Sequence, residues 1–161
     1  MLECQSLRLT PGTQAADAPR WSILNAVDGK LLGVARRRTP PPSFWFAGRK
    51  RPLLEVVEGA DESLLFTLTP GWGQGWLVDD AEGQRVGSVR AQLARDGGGE
   101  RLARFEPSTD GQSGRWLAVD GQELAATRRD GQTVEVSFAP IIQDQPFVKM
   151  LLLAMLLRET G

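Results

Sequence analysis

The chain of 161 residues contains no histidine and a single cysteine, Cys4. Without histidine there is no Ser-His-Asp triad and no zinc site of the usual Cys/His kinds, and the commonest general base is missing. None of the serines sits in a Gly-x-Ser-x-Gly elbow. One cysteine excludes a disulfide framework within the chain, so a reducing, cytoplasmic setting is the expectation. A lone cysteine near a terminus is a lipidation site in some proteins and incidental in most. Charge of one sign is also scarce, since 19 Lys and Arg face 20 Asp and Glu for a net of −1. No global field therefore points to nucleic acid. The first residues, Met-Leu-Glu-Cys-Gln-Ser, show no basic region followed by an apolar run, so no signal peptide is expected. Nor is there a hydrophobic run of the roughly 20 residues that a membrane-spanning helix needs.

What is abundant is glycine, 18 residues of it, and it falls in a pattern. Three segments look alike. Trp21 begins an apolar run that turns at Asp28-Gly29 and resumes at Leu32-Gly33; Trp76 leads to a turn at Gly83 and resumes at Val86-Gly87; Trp116 leads to Asp120-Gly121 and Leu124-Ala125. Each is an acidic-Gly turn between apolar runs, followed by an aliphatic residue three positions after the glycine and by Gly or Ala four after it. Such a turn is the strongest short hairpin signal, because glycine takes up positive φ without steric cost. A further turn, Asp130-Gly131, leads into residues 132–138, where Val134, Val136 and Phe138 alternate with polar residues. The uneven spacing of Gly29, Gly83 and Gly121 marks a hairpin used repeatedly and not a solenoid of fixed period. With residues 5–10, 53–58, 63–68 and 101–106 added, about a dozen short strands are expected. The triplet Gly97-Gly98-Gly99 reads as a break.

The predicted architecture is mainly β: an antiparallel closed barrel of about twelve strands, formed by residues 1–161 as a single domain, with hairpins near 21–38, 76–93 and 116–138. Closure removes exposed strand edges. A barrel of this size is wider than its own side chains can fill. The most apolar stretch in the chain, residues 147–157 (Phe-Val-Lys-Met-Leu-Leu-Leu-Ala-Met-Leu-Leu), supplies the filling. Its residues are good helix formers, and the apolar positions cover nearly every helical face, so it must be buried all round. Twelve helical residues reach only about 18 Å, against about 30 Å for a bilayer core. A central helix at 147–158 is therefore expected, with Pro146 at its first turn and Asp144 near its positive end. Lys149, its one charge before Arg158, reads as structural, with Asp144 as candidate partner.

This order of parts resembles the tubby C-terminal-like superfamily, and within it the phospholipid-scramblase-like and LURP-one-related branch. The repeated "valine, Asp, x, Gly, x, x, aliphatic, Gly" hairpin is present at residues 27–33, and more loosely at 78–87 and 119–125. The apolar helix closes the match, which covers roughly residues 20–158. The resemblance implies a twelve-stranded barrel threaded by the final helix. For function it implies lipid chemistry, since tubby proteins bind phosphoinositides and scramblases are associated with calcium and lipid movement. The departure from the scramblase pattern is at residues 141–146, where Asp144 is the single carboxylate. Calcium takes six to eight oxygen ligands. No cysteine cluster is present for palmitoylation. No metal or other cofactor is expected.

The segment most unlike the rest is residues 36–51, Arg-Arg-Arg-Thr-Pro-Pro-Pro-Ser-Phe-Trp-Phe-Ala-Gly-Arg-Lys-Arg, with six basic residues and no acidic one. The rest of the chain then holds 13 basic and 20 acidic residues (19 less 6, and 20), a net of −7. A basic loop on an acidic body follows. Consecutive prolines favour extended polyproline II, which projects from a surface. Phe44, Trp45 and Phe46 between two basic triplets suit insertion among lipid headgroups, with Arg36, Arg37, Arg38, Arg49, Lys50 and Arg51 drawn to an anionic surface. The same composition suits stacking on single-stranded nucleic acid. A solvated insertion, its aromatics packed back and its arginines paired with acids of the barrel, is the structural alternative.

Other constellations are weaker. The glycine-rich stretch 71–76 precedes a strand, whereas a phosphate cradle needs a following helix N-terminus. Asp79 and Asp80 are neighbours on a hairpin and point to opposite faces, which does not suit paired acid-base work. The expected function is a non-catalytic binding or scaffold domain, cytoplasmic or peripheral to a membrane, whose partner is anionic phospholipid or a protein. Nucleic acid is left open as a partner, and an enzyme with a site in the barrel mouth is the remaining alternative.

Overall fold

A computed structural model describes residues 1–12, 21–38, 53–59, 61–71, 73 and 75–158. Twelve strands follow one another: β1 (Ser6–Pro11), β2 (Trp21–Asn25), β3 (Leu31–Arg38), β4 (Leu53–Glu58), β5 (Ser63–Pro70), β6 (Trp76–Asp80), β7 (Arg85–Arg90), β8 (Leu93–Asp96), β9 (Arg101–Pro107), β10 (Ser113–Ala118), β11 (Glu123–Asp130) and β12 (Thr133–Phe138). Each pairs antiparallel with its neighbours in sequence, and β1 pairs with β12, so the sheet closes on itself. After β12 a 3₁₀ turn (Pro140–Ile142) leads to the helix α1 (Pro146–Arg158).

An up-and-down barrel has two ends. The hairpin turns β2–β3, β4–β5, β6–β7, β8–β9 and β10–β11 share one end with the N-terminal segment and the start of α1; this is the turn end. The connections β1–β2, β3–β4, β5–β6, β7–β8, β9–β10 and β11–β12 share the other, the loop end. Every hairpin of the turn end carries a register shift, for instance between Val78 and Asp79 and between Trp116 and Leu117. Such bulges bend and twist a strand, which a closing sheet requires.

The turn itself recurs. Asp80 N–H bonds to the Gln84 carbonyl while Gly83 N–H returns to the Asp80 carbonyl, and the same pair of bonds joins Asn25, Lys30 and Gly29, and Ala118, Gln122 and Gly121. The fourth copy is at Asp96, Glu100 and Gly99, inside the triplet that reads as a break in the sequence. The Asp96 carboxylate accepts from the Glu100 N–H as the Asp80 carboxylate does from the Gln84 N–H, and Gly99 sits at φ 86°. The glycine four residues after the turn has a different reason. A Cβ on Gly87 would run into the Arg95 carbonyl and lie 3.0 Å from Leu151 Cδ2, because the bulged β8 and the helix both press on that point.

The helix lies inside. Residues 149–155 are buried without exception, which covers every helical face over nearly two turns. Trp116 Nε1 donates to Met155 Sδ at 3.1 Å, Lys149 lies over the Phe138 ring at 5.1 Å, and Leu151 meets Gly87, so strands on different sides of the barrel touch the same helix. The expected filling of the barrel by residues 147–158 is what is found, except that Phe147 stays exposed at the turn end. Among the described residues no helix is long and apolar enough to cross a membrane.

The partner expected for Lys149 is corrected. Its Nζ donates not to Asp144 but to the backbone carbonyls of Leu2 at 2.6 Å and Cys4 at 3.4 Å, and reaches Gln143 Oε1 at 3.5 Å. Two carbonyl dipoles and an amide satisfy the ammonium where a flexible loop acid would have to follow it into the core.

Candidate functional site

The two ends of the barrel are electrically unlike. Glu3, Asp28, Asp61, Glu62, Glu82, Glu100, Asp120 and Asp144 all lie in connections at the turn end, against one basic residue in those connections, Lys30. The repeated turn is part of the cause, since its copies tolerate acids beside the glycine and contribute Asp28, Glu82, Glu100 and Asp120. At the loop end the strand tips carry Arg37 and Arg38 on β3, Arg90 on β7 and Arg129 on β11, and α1 finishes at Arg158. Among the described residues the acids at these tips and connections are Asp110, Asp130 and Glu106, the last paired with Arg104 and Arg115.

The first three residues of the basic segment expected as a loop from residue 36 are strand and not loop. Arg36, Arg37 and Arg38 belong to β3, paired in register with Glu55, Leu54 and Leu53 of β4. Strand pairing continues because a carboxylate waits across the ladder. Glu55 is 6% exposed and accepts from Arg38 Nη1 at 2.8 Å, with Arg36 Nε at 3.5 Å. Arg36 Nη1 also donates to Glu62 at 2.9 Å, and this bond holds the guanidinium above its ordinary value. Arg36 and Arg38 are thus neutralised within the barrel wall, as the structural alternative expects of the arginines. Arg37 is not. It shares the parity of the inward positions Gly33 and Ala35 but emerges exposed at the loop end, and its side chain has no hydrogen bond or ion pair among the described residues. Trp45, Arg49, Lys50 and Arg51 lie outside the described residues. The chain that carries them departs from Arg38 and rejoins at Leu53, both at the loop end.

Two basic residues at this end were not singled out from the sequence. Arg90 and Arg129 are exposed, and neither side chain has a partner among the described residues. Nothing local marks them; only the strand order brings them to the same end of the barrel as Arg37. Asp79 and Asp80 point apart as expected, Asp79 to Arg85 Nε at 2.5 Å and Asp80 into its own turn. Among the described residues no group of three or more Asp, Glu or Cys side chains is placed to share a metal ion.

The fold and this charge distribution define a closed antiparallel barrel with an internal helix and one cationic end. No model of a protein family matches the sequence, and no curated protein sequence matches it. The architecture does have a solved counterpart. The X-ray structure of the Arabidopsis thaliana protein AT5G01750, which is LURP-one-related and tubby-like, matches with a TM-score of 0.58 over 93% of this chain and 89% of that chain, at 16% sequence identity. At that identity the likeness is one of fold alone.

Proposed function

We propose that this protein is a non-catalytic binding domain of the tubby-like, LURP-one-related kind that docks on anionic phospholipid surfaces through the loop end of its barrel. The observation that supports this reading is the separation of charge between the ends. Arg37 and Arg90 are exposed and unpaired among the described residues, and the segment that carries Trp45, Arg49, Lys50 and Arg51 leaves from Arg38 and returns at Leu53 at that end. Acidic turns at the far end turn that face away from negative headgroups, so the field both attracts and orients the barrel. Arg36 and Arg38 drop out of the binding set, because Glu55 and Glu62 already hold them.

Each cation near an anionic membrane contributes about 1 kcal/mol, so changing Arg37, Arg49, Lys50, Arg51 and Arg90 to Gln is expected to lower partitioning by about three orders of magnitude. Sedimentation with vesicles containing phosphatidylserine measures this, with single-stranded oligonucleotide as the parallel probe. Unchanged sedimentation of the five-fold variant, or binding of oligonucleotide with none to vesicles, sinks the lipid reading.

A further inference from the structure

Between the last turns of α1 and strands β9 to β12, the loop end opens into a pocket of about 240 Å³, roughly the liquid volume of eight waters. The mouth of a closed barrel is a frequent place for a ligand site. The floor of this one is apolar, with Phe105, Val134 and the helix residue Leu156. Phe105 is fixed from two sides. It packs on Trp116 with ring centroids 5.0 Å apart, and its ring lies across Gly114, where any Cβ would collide with it. A glycine at this inward position of β10 thus keeps the mouth open and lays a flat aromatic face across it.

The rim supplies one charge. Along β11 the inward positions run Ala125, Thr127, Arg129, the first two buried and the last exposed at the pocket. The Arg129 N–H bonds to the Gln112 carbonyl at 2.6 Å, which ties the tip of β11 to the β9–β10 connection. The guanidinium itself has no partner among the described residues. Asp130, next along, has the opposite parity and lines a different surface with Arg8 and Arg128. Asp110, in the same connection as Gln112, has its carboxylate taken up by the Ser108 hydroxyl and the Gln112 N–H.

We propose that this pocket binds a small amphipathic anion, with a carboxylate or phosphate head on Arg129 beside Gln112 and Ser113, and a short apolar body over Phe105, Val134 and Leu156. A planar guanidinium with free donors receives two oxygens of such a head at once. The volume limits the body to a few carbons, which excludes a whole lipid. The site stands apart from the membrane reading, because neither Arg37 nor Arg90 lines it.

Titration of the full chain with hexanoate, hexyl phosphate and the uncharged hexanamide, followed by amide NMR, tests it. Saturable shifts at Gln112, Ser113 and Thr127 are expected with at least one of the two anions, and binding of hexanamide at least tenfold weaker. Arg129→Gln is expected to remove that tenfold preference without moving the thermal midpoint, since the side chain is exposed. Arg128→Gln, the same charge change on the outer face of the same strand, is expected to leave it intact. Binding of hexanamide as tight as that of the better-bound anion overturns the proposal, as do equal effects of the two substitutions, or no saturable shift with either anion.

Discussion

Lys149 is a fully buried ammonium in an otherwise apolar helix, held by the carbonyls of Leu2 and Cys4. Burial disfavours its charged form and pulls its pKa below the ordinary 10.5, outweighing the opposing influence of Cys4 and Asp144. The sign of the pH effect follows. Between the lowered native value and 10.5 the unfolded chain holds more protons than the folded one, so stability rises with pH across that window. Below the window both states are charged, and the cost of burying the ammonium is fully present. Lys149→Met keeps the length and removes the proton, so the alkaline rise in the urea midpoint is expected to vanish in the variant. Equal slopes for the two proteins between pH 8 and 11 would contradict this. The bond to Leu2 also explains why a lysine is tolerated: it fastens the segment before β1 to the helix that fills the barrel.

At the level of the element, α1 is the decisive piece. Met150, Leu151, Leu152, Leu153, Met155 and Leu157 are all buried, and at about 1.5–3 kcal/mol each they contribute about 9–18 kcal/mol, as much as the net stability of a whole domain. Strands alone leave that volume empty, and a void of helical diameter does not stay dry and ordered. Removal of residues 147–161 is expected to abolish the cooperative urea transition and to give strong binding of a hydrophobic dye. A truncated chain with a sharp transition and no dye binding would show that the barrel closes without its helix. This element was legible in advance, because a helix apolar on every face has few places to go. The strands were legible where Asp-Gly punctuates them. The turn at Asp96 was not, because three glycines in a row give no hint of which one takes the left-handed φ.

For the whole molecule, distance against screening decides how the two ends act. A strand of eight residues spans about 26 Å, while the Debye length is about 8 Å at 0.15 M salt and about 30 Å at 0.01 M. The acids of the turn end therefore have no influence on a membrane at the loop end in physiological salt, and a measurable one at low salt. Changing Asp61, Glu82, Glu100 and Asp120 to their amides is expected to leave vesicle binding unchanged at 0.15 M and to tighten it at 0.01 M. Tightening at both salt concentrations would mean that the turn end itself meets the surface, against the proposed orientation.

Fold class was readable from the chain because its signals are local and repetitive: a turn that needs glycine, a period of two in the strands, and one helix with no polar face. The basic segment 36–51 stands out for the same reason, as a run of like residues. The proposed binding surface was not readable in this way. Arg36 and Arg38 look like Arg37 in sequence, and only the register of β3 on β4 places Glu55 against two of them and leaves the third free. Arg90 and Arg129 are ordinary strand-end residues until closure of the barrel gathers every second connection at one end. The partner of Lys149 lies 147 residues away at Leu2. Pairings across that separation depend on which strand lies beside which, and that is settled by the closing of the sheet around its helix and by nothing nearer in the chain.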